Sequence, residues 1–295
     1  MAQPTPYRSL LCENESRIES AGFQQIYQQS KDTPARLAWW ECAACGGWFV
    51  DPPPSAAMIE SQWPIVVYGD AAREEAYAQC RCEFVKRLIN ELSKRSSPGK
   101  LLDVGCGSGA FLGEATAAGW QCRGLDPNRA LVEIARSRGL DVRQAWTIDE
   151  CGFHAEEFQV ITLIDVFYYS WHPHADLQAL YRYLRPGGVL MMRLANKRFI
   201  LGMMRRLSRE GPARNKRLSR YLQGQFHSIS ISSLARILRQ IGFSGVQAIP
   251  HAMTAPASEL SWQGRAWYFA TDLLNCVTLG RLNLSPGIFL CARKN

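Results

Sequence analysis

No stretch of this chain strings together the roughly 20 apolar residues that a membrane-spanning helix needs, so a bundle of such helices is excluded. Its opening residues, MAQPTPYRSLLCENES, lack a basic segment followed by an apolar core, and no secretory leader is expected. Ten cysteines are present but follow no repeating frame. That pattern excludes a small disulfide scaffold and leads us to expect reduced thiols in a cytoplasmic compartment. Internal repeats are absent, and with 47% hydrophobic and 20% charged residues the chain is not a disordered one.

What is present is a chain of 295 residues, the size of one sizeable α/β domain with appendages. Basic residues outnumber acidic ones, 34 to 26, for a net charge of +8. Much of the excess gathers over 193–220, in RLANKRFILGMMRRLSREGPARNKRLSR, whereas residues 86–192 are balanced. Such an insert suits RNA, an anionic membrane surface met peripherally, or a phosphorylated acceptor, and equally a solvated helical face.

The most informative stretch is LLDVGCGSG over 101–109, followed by AFLGEATAAG. Apolar residues lead to an acidic one and then to alternating glycines ahead of a helix, which reads as strand, tight turn, helix. Gly105, Gly107 and Gly109 omit the Cβ atoms that would hold a ligand off the backbone, and they tolerate positive φ. The N–H groups opening the next helix are left to face that ligand. Gly105, Gly107 and Ala110 also satisfy the dinucleotide fingerprint, so the loop alone does not separate nicotinamide from adenosyl cofactors. Asp126, in QCRGLDPN at the end of a second short strand, is placed to accept the hydroxyls of a ribose, which both cofactors carry.

Asp103 ahead of the glycines, FQVITLIDVFYY further on and then LRPGGVLMMRLAN together resemble the class I S-adenosylmethionine-dependent methyltransferases. The resemblance spans roughly 86–195 and rests on several motifs in order. It implies a doubly wound, mostly parallel sheet of Rossmann-like type, with right-handed crossovers and a ligand crevice at the strand carboxyl ends. It assigns the cofactor to Asp103, Gly105, Cys106, Gly107, Gly109, Asp126, Pro127, Asp165 and Trp146, the last beside the adenine. Tyr68, ahead of a helix expected over 71–95, would close over the methionine end. A final strand over 287–292 is expected to complete the sheet as its antiparallel edge.

Residues 1–54 read as a small β appendage, and 55–295 as the methyltransferase domain. WWECAACGGWFVDPPP has the form of a zinc knuckle at a hairpin tip, resembling the N-terminal ribbon of many methyltransferases of this group. Only Cys12 stands upstream where a second C-x-x-C is needed, and Glu15 takes the other position. Zinc on Cys12, Cys42 and Cys45 therefore lacks a clear fourth ligand, and a degenerate, metal-free ribbon is the favoured expectation.

On the acceptor side the family often carries a Glu-His pair after the fourth strand, where this chain has Tyr168 and Tyr169. His172 and His174 follow in the same loop, and His227 sits in QFHSISISSLARILRQIGF, a stretch resembling the family's segment whose histidine points at the acceptor. His227 and then His172 are the expected general bases. The function implied is methyl transfer to a hydroxyl oxygen of a small or carrier-linked metabolite such as a sugar or secondary-metabolite scaffold. An RNA methyltransferase and a catalytically inactive methyltransferase-like binding protein are the alternatives.

Overall fold

The computed structural model describes residues 7–8, 15–16, 23–28, 38–51, 81–196, 222, 225–249, 262–278, 285 and 287–295. The chain forms two compact units, one of Met1–Val67, Tyr168–Ala175 and Lys197–Ile237, the other of Tyr68–Phe167, Asp176–Asn196 and Leu238–Asn295.

The smaller unit carries a two-stranded ladder, β1 (Tyr7–Arg8) with β2 (Glu15–Ser16), and a four-stranded antiparallel sheet. In the sheet, β3 (Phe23–Gln28), β4 (Ala38–Cys42) and β5 (Trp48–Asp51) follow in order, and β11 (His227–Ser228) closes the other side of β5. Aromatic and β-branched residues at Trp39, Trp48, Phe49 and Val50 suit a pleated, half-covered surface, and all four are buried. The C-x-x-C-G run forms the β4–β5 turn, with Gly46 at φ +60°. Gly46 N–H donates to Cys42 O at 2.6 Å, and Gly47 N–H to Cys45 Sγ at 3.3 Å.

The larger unit holds a seven-stranded sheet in the order β12-β13-β10-β9-β6-β7-β8. Its parallel strands are β6 (Lys100–Val104), β7 (Gln121–Asp126), β8 (Val142–Gln144), β9 (Phe158–Ile164) and β10 (Leu184–Ala195). Near-continuous apolar runs such as VITLI fit strands covered on both faces. Helices α1 (Cys82–Ser93), α2 (Ala110–Ala117), α3 (Arg129–Ser137) and α4 (Pro173–Tyr183) alternate with them. α5 (Ile231–Ile241) leads into β12 (Phe243–Ile249), and α6 (Trp262–Val277) precedes β13 (Gly287–Lys294).

Phe84, Leu88 and Leu92 recur every four residues along α1 and are buried, each side chain stabilising the fold by roughly 1.5–3 kcal/mol. The Phe84 ring stacks on Phe289 of β13 at 5.6 Å. β13 is antiparallel, as the sequence predicts, but it is not the edge. It lies between β10 and β12, and β12, a strand not expected from the sequence, takes the edge. The reason is visible in the two patterns: β13 is buried at seven of its eight positions, whereas β12 is largely open to solvent.

Candidate cofactor site

The chain runs β6, β7, β8 to one side of the sheet and resumes at β9 on the other side of β6. The switch point therefore falls between the carboxyl ends of β6 and β9, where open α/β sheets form their ligand crevice. The glycine loop leaves β6 at this point. Gly105, Gly107 and Gly109 all have positive φ, at +74°, +55° and +81°. A Cβ on Gly105 would sit 2.4 Å from Val166 Cγ1, and one on Gly109 would sit 2.4 Å from Leu140 Cδ1. Both positions thus require glycine for conformation and for space.

Asp126, fully buried at the end of β7, holds the loop down. Its Oδ2 accepts from Gly107 N–H at 2.9 Å, and Oδ1 from Asn128 N–H at 2.8 Å. Gly105 and Cys106 N–H donate to Leu125 O. Ser108 is 2% exposed and its hydroxyl has no hydrogen-bond partner among the described residues, an unmet donor within the loop. Pro127 follows, its carbonyl accepting from Gln144 Nε2 at 3.3 Å. Trp146, half-buried after β8, donates its backbone N–H to Glu150 Oε2 at 2.8 Å.

Asp103 is buried on β6, and its Oδ1 accepts from the Thr162 hydroxyl at 2.6 Å. Burial pushes the Asp103 carboxyl up to about 7, against the Thr162 hydrogen bond that lowers it; the nearby Asp126 raises it further and Arg81 opposes. Burial likewise pushes the Cys106 thiol up, so Cys106 packs as a small apolar side chain. Asp165, just past β9, adopts φ +61°, a left-handed conformation that Asp tolerates better than most residues. Two guanidiniums hold it there, Arg81 Nη2 at 3.1 Å and Arg193 Nη1.

The larger unit thus brings together Asp103, Gly105, Cys106, Gly107, Gly109, Asp126, Pro127, Trp146 and Asp165 along one end of its sheet. Tyr68 lies outside the described residues, as do Cys12 and most of the basic insert. Arg193, counted with that insert, is instead a buried residue of β10 and belongs to the ion cluster on Asp165. In the smaller unit His227 is a fully buried residue of β11, opposite Phe49, while His172 is exposed. Tyr168 and Tyr169 pack edge to face at 4.7 Å, and Phe226 N–H donates to Tyr168 O at 2.9 Å. Among the described residues no three His, Cys, Asp or Glu side chains cluster as metal ligands.

Thr162, Arg81, Arg193 and Ser108 are not singled out by sequence. The signals are nonetheless there, in one hydroxyl inside the apolar run VITLI and one charge inside LMMRLA.

A family model described as a methyltransferase domain matches residues 74–248, and the chain belongs to that family. The ubiquinone biosynthesis O-methyltransferase of Actinobacillus pleuropneumoniae serotype 5b is 32% identical over 128 residues, which is 40% of this chain and 53% of the relative. The enzyme of the same name from Aromatoleum aromaticum is 26% identical over 175 residues, covering 57% and 72%. The chain thus spans about half the length of several of the curated relatives it matches. Among solved structures, a SAM-dependent methyltransferase from Archaeoglobus fulgidus aligns with a TM-score of 0.52 at 16% identity, covering 75% of this chain and 97% of the other. One from Mesorhizobium loti aligns with a TM-score of 0.50 at 17% identity, covering 72% and 98%. These likenesses define a Rossmann-like methyltransferase fold.

Proposed function

We propose that the chain is an S-adenosylmethionine-dependent methyltransferase acting on a hydroxyl oxygen of a small or carrier-linked metabolite. The observation that carries this reading is the glycine loop, held in positive φ at the switch point and anchored by Asp126. The residues present fit the cofactor: the three loop glycines put no side chain in its way, and the Ser108 hydroxyl is an unmet donor among the described residues. S-adenosylmethionine supplies the driving force as a sulfonium methyl donor, so the protein has to align the partners and take up a proton.

Gly105, Cys106, Gly107 and Gly109 would hold the methionine end, Asp126 and Pro127 the ribose, and Trp146 the adenine, with Asp103 and Asp165 setting the charge. His227 and His172 are the proposed bases for the acceptor hydroxyl, and Tyr68 the proposed cover of the methionine end. Oxygen is favoured as the acceptor atom because the curated relatives are named O-methyltransferases.

The test is transfer of a labelled methyl group from S-adenosylmethionine to a panel of phenols, dihydroxybenzoates and nucleotide sugars, with bulk RNA alongside. Transfer to a hydroxyl compound is expected, and His227→Asn or His172→Ala should slow it by about 10²-fold or more if that residue is the base. Labelling of RNA alone would replace the acceptor assignment. Tight cofactor binding with no transfer to any acceptor would make the chain a binding protein.

A further inference from the structure

β9 reads Phe-Gln-Val-Ile-Thr-Leu-Ile, and its one hydroxyl, Thr162, is fully buried. Parallel pairing sets Thr162 directly opposite Asp103 on β6, with Met191 of β10 on its other side and Cys291 of β13 beyond. On the far side of Asp103 the row continues to Gly124 of β7. A Cβ at Gly124 would meet Leu112 Cδ1 at 2.5 Å and Cys106 Sγ at 2.6 Å, so these two groups fill that place. Asp103 therefore lies in a row of sulfur and hydrocarbon, in which the Cys291 thiol donates to Met191 Sδ at 3.0 Å and Thr162 is the side chain that donates to the carboxylate. The Thr162 hydroxyl has a single hydrogen. It points at Asp103 Oδ1, 2.6 Å away, and the alternative acceptor, Leu102 O, is at 3.4 Å. When Asp103 is ionised Thr162 donates to it; when Asp103 is protonated, the same hydroxyl can turn to Leu102 O and accept from the acid. Valine would fill the space of Thr162 with neither ability.

We propose that Thr162 is a positioning residue for cofactor capture: it fixes the orientation and the protonation of Asp103, the buried acid that counters the positive charge of the cofactor's methionine end. This rests on the methyltransferase reading above. A cation brought to the loop favours the ionised form of Asp103, so binding shifts Asp103–COOH to Asp103–COO⁻ and the proton passes to solvent. Other groups act on the same carboxyl. Asp126 on β7 opposes its ionisation and Arg81 ahead of α1 favours it, while the buried thiols of Cys106 in the loop and Cys122 on β7 stay protonated. From β10 the neighbour is the uncharged Met191.

Two measurements test this. The first follows the Asp103 carboxyl by ¹³C NMR in the ligand-free protein. The wild type should titrate near about 7, Thr162→Val at a higher pH, and Thr162→Ser, which keeps the donor, close to wild type. The second is calorimetric titration with S-adenosylmethionine between pH 6 and 9, in buffers of different ionisation heat. Near neutral pH the wild type should release part of a proton on binding, and Asp103→Asn should release none. If Thr162→Val raises the Asp103 titration by about one unit, binding should weaken about five-fold at pH 7, with the difference vanishing above about pH 9. A loss of affinity independent of pH, or a Thr162→Val variant whose Asp103 titrates as wild type, overturns the inference while leaving the methyltransferase reading intact. Failure of the wild type to bind the nucleoside at any pH overturns both.

Discussion

Asp103 is a residue whose burial is costly to the fold, and which the proposed site would use. Its carboxyl ionises near 3.8 in the unfolded chain and is pushed up to about 7 by burial in the native state. Between those values the native state holds a proton that the unfolded state has lost, so the contribution of this group to stability falls as pH rises through the window. Below about 4 the acid is neutral in both states and costs nothing by ionisation. Asp103→Asn should therefore gain on the wild type between pH 5 and pH 8, by at most about 4 kcal/mol, read as a Tm difference that widens with pH. The same variant should bind S-adenosylhomocysteine more weakly. A constant Tm difference across that range would contradict the assignment.

Gly105 and Gly109 make the complementary case, in which conformation and space coincide. An alanine at either position meets a positive φ and a contact at 2.4 Å. Each substitution should cost roughly 1–2 kcal/mol for the left-handed backbone alone. Gly105→Ala should also remove nucleoside binding, measured by calorimetry on a variant still folded at 25 °C. These glycines were readable in the sequence because the constraint is local to a few residues. Thr162 and Arg193 were not, since their meaning comes from partners on neighbouring strands, Asp103 and Asp165, that only the register identifies.

At the scale of elements, α3 offers a clean test of local signals. Asn128 caps it, with Oδ1 accepting from Ala130 N–H at 3.0 Å and Leu131 N–H at 3.3 Å. Asn128→Ala should cost about 1 kcal/mol, a fall of roughly 2–4 °C in Tm. Nucleoside binding should persist, because the bond to Asp126 comes from the Asn128 backbone. Although the Asn128 cap was not read from the sequence, the alternating strands and helices of the parallel part were legible because their apolar runs and glycine turns are written in neighbouring residues. The antiparallel end was less so. A final strand was expected at the sheet edge, but β13 is inserted between β10 and β12, and β12 did not announce itself because Gly245 and Gln247 break its apolar alternation and only Phe243 of its seven residues is buried.

At the scale of the whole molecule, the chain crosses between its two compact units several times, and residues 168–175 and 197–237 group with the N-terminal segment. The pairing of β11 with β5, His227 opposite Phe49, joins residues 178 positions apart and has no local signature. No helix among the described residues is long and apolar enough to cross a membrane. The family match spans 74–248 and so takes in segments of both units, while the strand order and the glycine loop belong to the larger one.

The central claim is that this loop binds an adenosyl cofactor, and calorimetric titration of the purified chain with S-adenosylhomocysteine, with NADH as the control, tests it most directly. Micromolar binding of S-adenosylhomocysteine, no heat with NADH, and loss of binding in Gly105→Ala are the predicted results. Binding of NADH, or of neither ligand, would contradict the account.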